Sequence, residues 1–149
     1  MITLRQMTEN DIPRAAEMER MIFTDPWSEK VYRETFKLEG VEYVAATDET
    51  DDGEVIVGVA GVRNIVGTGE ITNVMVLPGY RRQGIAKRMI ADLIERGRRL
   101  GAEEFTLEVR VSNKTAINVY EKLGFVGEGI RPKFYRNPEE DALIMWMRK

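Results

Sequence analysis

Residues Val74-Met75-Val76-Leu77-Pro78-Gly79-Tyr80-Arg81-Arg82-Gln83-Gly84-Ile85-Ala86 pass from an apolar strand through a Pro/Gly break and a basic turn into an amphipathic helix. Such a turn leaves backbone N–H groups unpaired at the positive end of a helix dipole, which suits a pyrophosphate. Gly84 and Ala86 are small enough for phosphates to approach the main chain, and Arg81, Arg82, Lys87 and Arg88 gather positive charge around it. Taken alone, a basic turn is also what an ordinary strand-to-helix connection looks like.

The flanking sequence decides the class. Upstream, residues 2–7 alternate as a first strand, and Thr8-x-x-Asp11 has the form of a capping box that opens a helix. The apolar side of that helix takes Ile12, Ala15, Ala16, Met18, Met21 and Ile22. Asp25-Pro26-Trp27-Ser28 breaks it, Ser28 caps a second helix near 29–38, and Gly40 closes that one. Residues 41–47, 54–65 and 69–77 read as three successive Val- and Ile-rich strands, the first two joined by the acidic turn Asp48–Gly53. The main helix spans 82–99, with Arg96, Arg98 and Arg99 at its negative end and Gly101 as its stop.

Residues 103–111 then alternate, with Phe105, Leu107, Val109 and Val111 on one face and Thr106, Glu108 and Arg110 on the other. Asn113 starts a helix that Gly124 ends, and strands near 125–131 and 141–148 complete the chain. The order β-α-α-β-β-β-α-β-α-β-β predicts one α/β domain over residues 1–149, a mixed sheet covered by helices on both sides.

Composition narrows the chemistry. The chain has 149 residues, 43% hydrophobic and 32% charged, as in soluble globular proteins. No apolar run approaches the roughly 20 residues of a membrane span, and the N-terminus lacks the plan of a signal peptide. A net charge of −3 argues against a general nucleic-acid-binding surface. With no Cys there is no disulfide and no cysteine nucleophile; with no His there is no Ser–His pair and no His-ligated metal. A base working near neutral pH must be a carboxylate, a Tyr, a Lys or water.

Two downstream segments give the loop its meaning: Leu107-Glu108-Val109-Arg110-Val111-Ser112-Asn113 and Ala116-Ile117-Asn118-Val119-Tyr120-Glu121-Lys122-Leu123-Gly124-Phe125. With the Arg81-x-x-Gly84-x-Ala86 turn they resemble the GNAT superfamily of N-acetyltransferases, which take acetyl from acetyl-CoA. The resemblance implies that Arg81, Arg82, Gln83, Gly84, Ile85, Ala86 and Lys87 hold the CoA pyrophosphate. It also implies that the strand carrying Val74, Met75 and Val76 splays from its neighbour to receive the pantetheine, where a freed N–H polarises the thioester carbonyl. Glu108 is then the base and Tyr120 the acid that protonates the departing sulfur. Asn113 either caps its helix or bonds the cofactor's amides, and the two roles are compatible. From patterning alone, Glu108 is equally a solvated or Arg-paired strand residue, facing Arg110 or Arg63, and Tyr120 equally a core aromatic.

Within the superfamily, Glu19 and Phe23 followed by Pro26-Trp27-Ser28-Glu29-Lys30, together with Glu140-Asp141-Ala142-Leu143-Ile144-Met145, resemble the bacterial branch that acetylates ribosomal proteins. That branch implies an acceptor: the N-terminal amine of an alanine on a small-subunit ribosomal protein. Pro26, Trp27 and Tyr135 are the expected acceptor wall. Ala86, where many relatives have Gly, and Phe134, where a Tyr-Tyr pair is common, depart from the pattern. The same resemblance implies a cytoplasmic monomer with acetyl-CoA as co-substrate and no metal, membrane or direct nucleic-acid partner. The alternatives are an enzyme of the same fold acting on lysine side chains or small amines, and a non-catalytic acyl-CoA sensor.

Overall fold

The computed structural model describes all 149 residues, arranged around one seven-stranded sheet. In chain order the elements are β1 (Ile2–Gln6), α1 (Ile12–Ile22), α2 (Glu29–Phe36), β2 (Val41–Thr50), β3 (Gly53–Ile65), β4 (Thr68–Val76), α3 (Ile85–Arg99), β5 (Glu104–Arg110), α4 (Lys114–Lys122), β6 (Val126–Tyr135) and β7 (Glu140–Met147). Single 3₁₀ turns at Glu9–Asp11 and Pro78–Tyr80 precede α1 and follow β4. The element order is the one the sequence predicts.

The strands lie in the order β1-β2-β3-β4-β5-β7-β6, and only the β4–β5 pair is parallel. A parallel pair needs a long crossover, and α3 supplies it. One face of the sheet is covered by α3 and α4 through Met89, Ile90, Leu93 and Tyr120, packed on Val44, Val62, Phe105 and Leu107. The other face buries Ile12, Ala16, Met18 and Tyr32 of α1 and α2 against Tyr43, Val59 and Met75. No helix is long and apolar enough to cross a membrane.

Two features of β4 shape the rest. Its pairing with β5 stops early: Thr68↔Glu104, Gly69↔Phe105 and Glu70↔Thr106 are the only rungs. Beyond them Ile71–Val76 and Leu107–Arg110 diverge. The closed end is pinned by Phe105, which leaves no room for a Cβ on Gly69 or Gly97; one built on either would lie 2.5 Å from its ring. Second, the register against β3 slips between Gly61↔Thr72 and Val59↔Met75, with Asn73 at φ 56°. This is a β-bulge, and Asn is among the few residues that tolerate the left-handed region.

Boundaries differ from the sequence reading for local reasons. Asp48 is paired within β2 opposite Val55 rather than in the turn, which contracts to Asp51-Asp52. Helix α3 starts at Ile85, not 82, because Arg82 and Gly84 sit at φ 66° and 75°. Thr8 donates its backbone N–H to the Asp11 carboxylate at 2.8 Å, but a 3₁₀ turn intervenes before α1. Met21, expected on the apolar side of α1, is 61% exposed, whereas Glu19 is 1% exposed. Val111 falls outside β5, and β6 extends to Tyr135.

Candidate active site

The divergence of β4 and β5 opens a cleft of about 640 Å³. Its inner walls are Ile71–Val74 of β4 and Thr106–Arg110 of β5. The α1–α2 connection closes one side with Phe23 and Trp27, and the β6–β7 hairpin closes the other with Phe134 and Tyr135. The two rims touch where Thr24 Oγ1 donates to the Arg136 carbonyl at 3.3 Å.

Glu108 lies on the strand face opposite Leu107 and Val109, so its carboxylate enters the cleft while its neighbours enter the core. Its side chain is 28% exposed. Oε2 is shielded and accepts no hydrogen bond, but it forms an ion pair with Arg131 Nε at 3.4 Å. Neither Arg110 nor Arg63 pairs with it. Arg110 instead binds Glu140 at 3.1 Å and the Arg136 and Pro138 carbonyls at 3.0 Å each, which fastens the hairpin to β5. Glu140 also accepts from the Ser112 N–H at 2.8 Å, and the Ser112 and Arg110 bonds hold its carboxyl below the usual range.

Tyr120 is held by α4 with its ring edge-to-face against Phe125 and its body in the core. The hydroxyl has no protein hydrogen bond, yet it is not among the sealed polar atoms, so it meets the cleft. Burial raises its pKa, and the neighbouring Tyr135 adds to the rise. Tyr135 is itself pushed up to about 12, first by burial and then by the Glu108 carboxylate, while Arg110 sits 4.5 Å above its ring. Asn113 Oδ1 accepts from the Ala116 N–H at 3.2 Å as an N-cap, and the residue also lines the cleft.

The predicted residues therefore divide. Glu108, Tyr120, Asn113, Val74, Trp27 and Tyr135 converge on one cleft. Met75 and Val76 do not: the Met75 side chain is buried beneath α1 and α2, and Val76 lies at the strand end with its carbonyl bonded by Arg81. Pro26 is exposed and stands outside the lining, because the chain turns to seat Trp27 edge-to-face on Tyr32.

The basic loop lies past the end of β4, where Arg81 Nε donates to the Val76 carbonyl at 3.0 Å. The backbone N–H groups of residues 82–87 have no partner; the first bond of α3 is Arg88 N–H to the Gly84 carbonyl at 3.1 Å. Arg82, Gln83, Lys87 and Arg88 are exposed around them, and Ile85 anchors the turn in the core. Consecutive free donors at a helix start, ringed by cations, fit a pyrophosphate.

Two residues given no role in the sequence reading belong to the site. Glu19 and Asn73 line the cleft floor. Helix-face arithmetic finds the first, since Glu19 falls three and four residues after Ala16 and Ala15 on the apolar stripe. An Asn amid the apolar run Ile71–Val76 is the only signal for the second.

A sequence profile of the acetyltransferase (GNAT) family matches residues 12–125. The chain is 33% identical over 147 residues to an Escherichia coli ribosomal protein bS18-alanine N-acetyltransferase, covering 97% of this chain and 96% of that one. The crystal structure of an Escherichia coli enzyme of that description superposes with a TM-score of 0.85 at 29% identity, covering 100% and 96% of the two chains. Arabidopsis thaliana NAA60 in complex with acetyl-CoA gives 0.88 at 18% identity over 98% and 97%, a likeness of fold.

Proposed function

This chain belongs to the acetyltransferase (GNAT) family and is an N-acetyltransferase, and we propose that it acetylates the N-terminal amine of an alanine-starting small-subunit ribosomal protein. The observation that carries the reading is the sheet opening at Glu70/Thr106, with Glu108 and Tyr120 meeting the same cleft beneath the Trp27 and Tyr135 rims. The acceptor assignment rests on the E. coli relative, which is similar over nearly the full length of both chains.

Acetyl-CoA, when bound, supplies a thioester whose acyl carbon is open to attack by an amine. The free N–H groups of 82–87 hold its pyrophosphate, with Arg82 and Lys87 adding charge. Val74 and Val76 offer the backbone of the opened strand, and Asn113 a polar side chain along the same path. An N-terminal amine has a pKa near 8, against about 10.4 for lysine, so roughly a tenth is neutral at pH 7. Glu108, whose Oε2 accepts no hydrogen bond within the protein, accepts the amine's proton, directly or through one water. Tyr120, kept protonated by burial, gives its proton to the departing sulfur. Tyr135 and Trp27 wall the acceptor. Every group in this scheme comes from one chain, so a monomer suffices, and a ribosomal acceptor places the reaction in the cytoplasm.

Initial rates with acetyl-CoA on Ala-starting peptides, N-blocked lysine peptides and polyamines test the proposal. A clear preference for the peptides with a free N-terminal Ala is the expected result. Preference for either of the other two classes would overturn the acceptor assignment, and tight acetyl-CoA binding without any product would replace the enzyme by a sensor.

A further inference from the structure

Glu19 is a carboxylate almost wholly withdrawn from water, at 1% exposure, and each of its side-chain hydrogen bonds comes from an uncharged group. It is held by three neutral donors. Oε1 accepts the Trp27 backbone N–H at 3.0 Å, and Oε2 accepts the Tyr32 hydroxyl at 2.7 Å and the Asn73 side-chain N–H at 2.9 Å. On its other side the Asn73 carboxamide oxygen accepts the Tyr43 hydroxyl at 2.8 Å. Burying a carboxylate is costly, and an apolar side chain would fill the same volume at less expense. The donors explain why a carboxylate is here: each comes from a different piece of the cleft. Trp27 is the acceptor rim, Tyr32 belongs to the helix behind that rim, and Asn73 is the left-handed residue of the β4 bulge. No other side chain of this size offers two oxygens and no hydrogen, so Gln would turn an N–H toward a donor.

We propose that Glu19 is a positioning residue that joins the β4 bulge to the Trp27 rim, so that the strand meeting the thioester and the wall meeting the acceptor are set as one unit. The inference rests on the acetyl-transfer reading for its kinetic consequence, though not for its structural one. Asn73 stays in the left-handed region because its carboxamide is fixed on both faces, by Glu19 and by Tyr43. Trp27 stays over the cleft because its own N–H is tied to the same carboxylate. Loosening one end therefore loosens the other, although the two residues share no direct hydrogen bond.

The test uses Asn73→Gly, which preserves the positive φ of the bulge and deletes only the carboxamide, alongside Glu19→Gln. Amide hydrogen exchange is followed residue by residue, with Ile90 and Leu93 in α3 as an internal standard for global stability. The expected result is a loss of protection at the Trp27 amide of about tenfold or more in both variants, with the α3 amides unchanged relative to each other. In the same proteins kcat should fall by about tenfold or more while the KM for acetyl-CoA moves less than about threefold. The double variant should be no worse than Glu19→Gln alone, as expected when both act through one contact. Unchanged Trp27 protection in Asn73→Gly, or no protection there in the unmodified protein, overturns the proposal. Should the unmodified enzyme acetylate no amine, the acetyl-transfer reading fails while the exchange experiment still decides whether Glu19 couples the two ends.

Discussion

Ile71 and Met75 are four residues apart on β4, yet they are buried on opposite faces of the sheet, Ile71 beneath α3 and α4 and Met75 beneath α1 and α2. A regular strand returns a side chain to the same face every second residue, so these two would be neighbours. The extra residue at Asn73 inverts the phase between them. Ile71→Val should cost about 0.5–1.5 kcal/mol and Met75→Ala about 2–5 kcal/mol in denaturant unfolding. Because they share no core, the double variant should lose the sum within about 0.5 kcal/mol. A larger coupling would mean that the bulge does not separate them.

Glu108→Gln keeps the size of the side chain and removes the base. We expect kcat/KM at neutral pH to fall by roughly 10²–10⁴. Raising the pH should recover much of the loss, since more of the acceptor amine is then neutral without help. A pH-independent defect would assign Glu108 to binding instead.

Tyr120→Phe keeps the ring on Phe125 and deletes only the hydroxyl. Burial and Tyr135 raise the phenol's pKa, so the protonated form persists to higher pH than in a free tyrosine. The wild-type rate should therefore show no alkaline fall from this group below about pH 10, and alkaline pH should not rescue the variant. A pH–rate profile of both proteins decides the point.

Reversing charge at Arg82 and Lys87 together should raise the KM for acetyl-CoA and alter kcat less, because product CoA is held by the same groups. An unchanged KM would remove the phosphate site from this loop.

Acid stability should depend on Arg5. Its guanidinium binds Asp11 at 2.8 Å and Glu54 at 2.8 Å, and these bonds hold both carboxyls below their ordinary range. A carboxyl with a depressed folded-state pKa contributes stability above its unfolded pKa and loses it as pH falls through the folded one. Thermal melting between about pH 6 and pH 3 should therefore show a steeper decline for the wild type than for Arg5→Met. Parallel curves would contradict the linkage.

Much of this was legible in the sequence because it is local. Apolar alternation at Phe105, Leu107 and Val109 fixes which face of β5 is inward, and so sends Glu108 the other way. Asn113 and Tyr120 follow from the start and pitch of one helix. The basic loop announces itself by Gly84 and its cations. What escaped depends on partners far along the chain. Glu19 is buried only because Trp27, Tyr32 and Asn73 bring it donors, and the bulge that places Asn73 arises from pairing with β3. The resemblance of the Pro26-Trp27-Ser28 segment places Pro26 in the wall with Trp27, but adjacent residues in a turn need not face the same way, and only Trp27 lines the cleft. Asp48 read as a turn residue on composition, whereas pairing with β1 and β3 and a 2.8 Å bond from Tyr80 draw it into a strand.

The early end of the β4–β5 ladder also bears on solubility. An unpaired strand edge invites another chain to add to it, and soluble proteins keep such edges short, charged or covered. Here Ile71–Val76 and Leu107–Arg110 lie inside the sheet without rungs to each other, while the outer sides of both strands are occupied by β3 and β7. They lie under two rims joined by Thr24 and Arg136. The open ladder therefore places its unpaired edges within the sheet rather than at the border, where pairing between molecules begins.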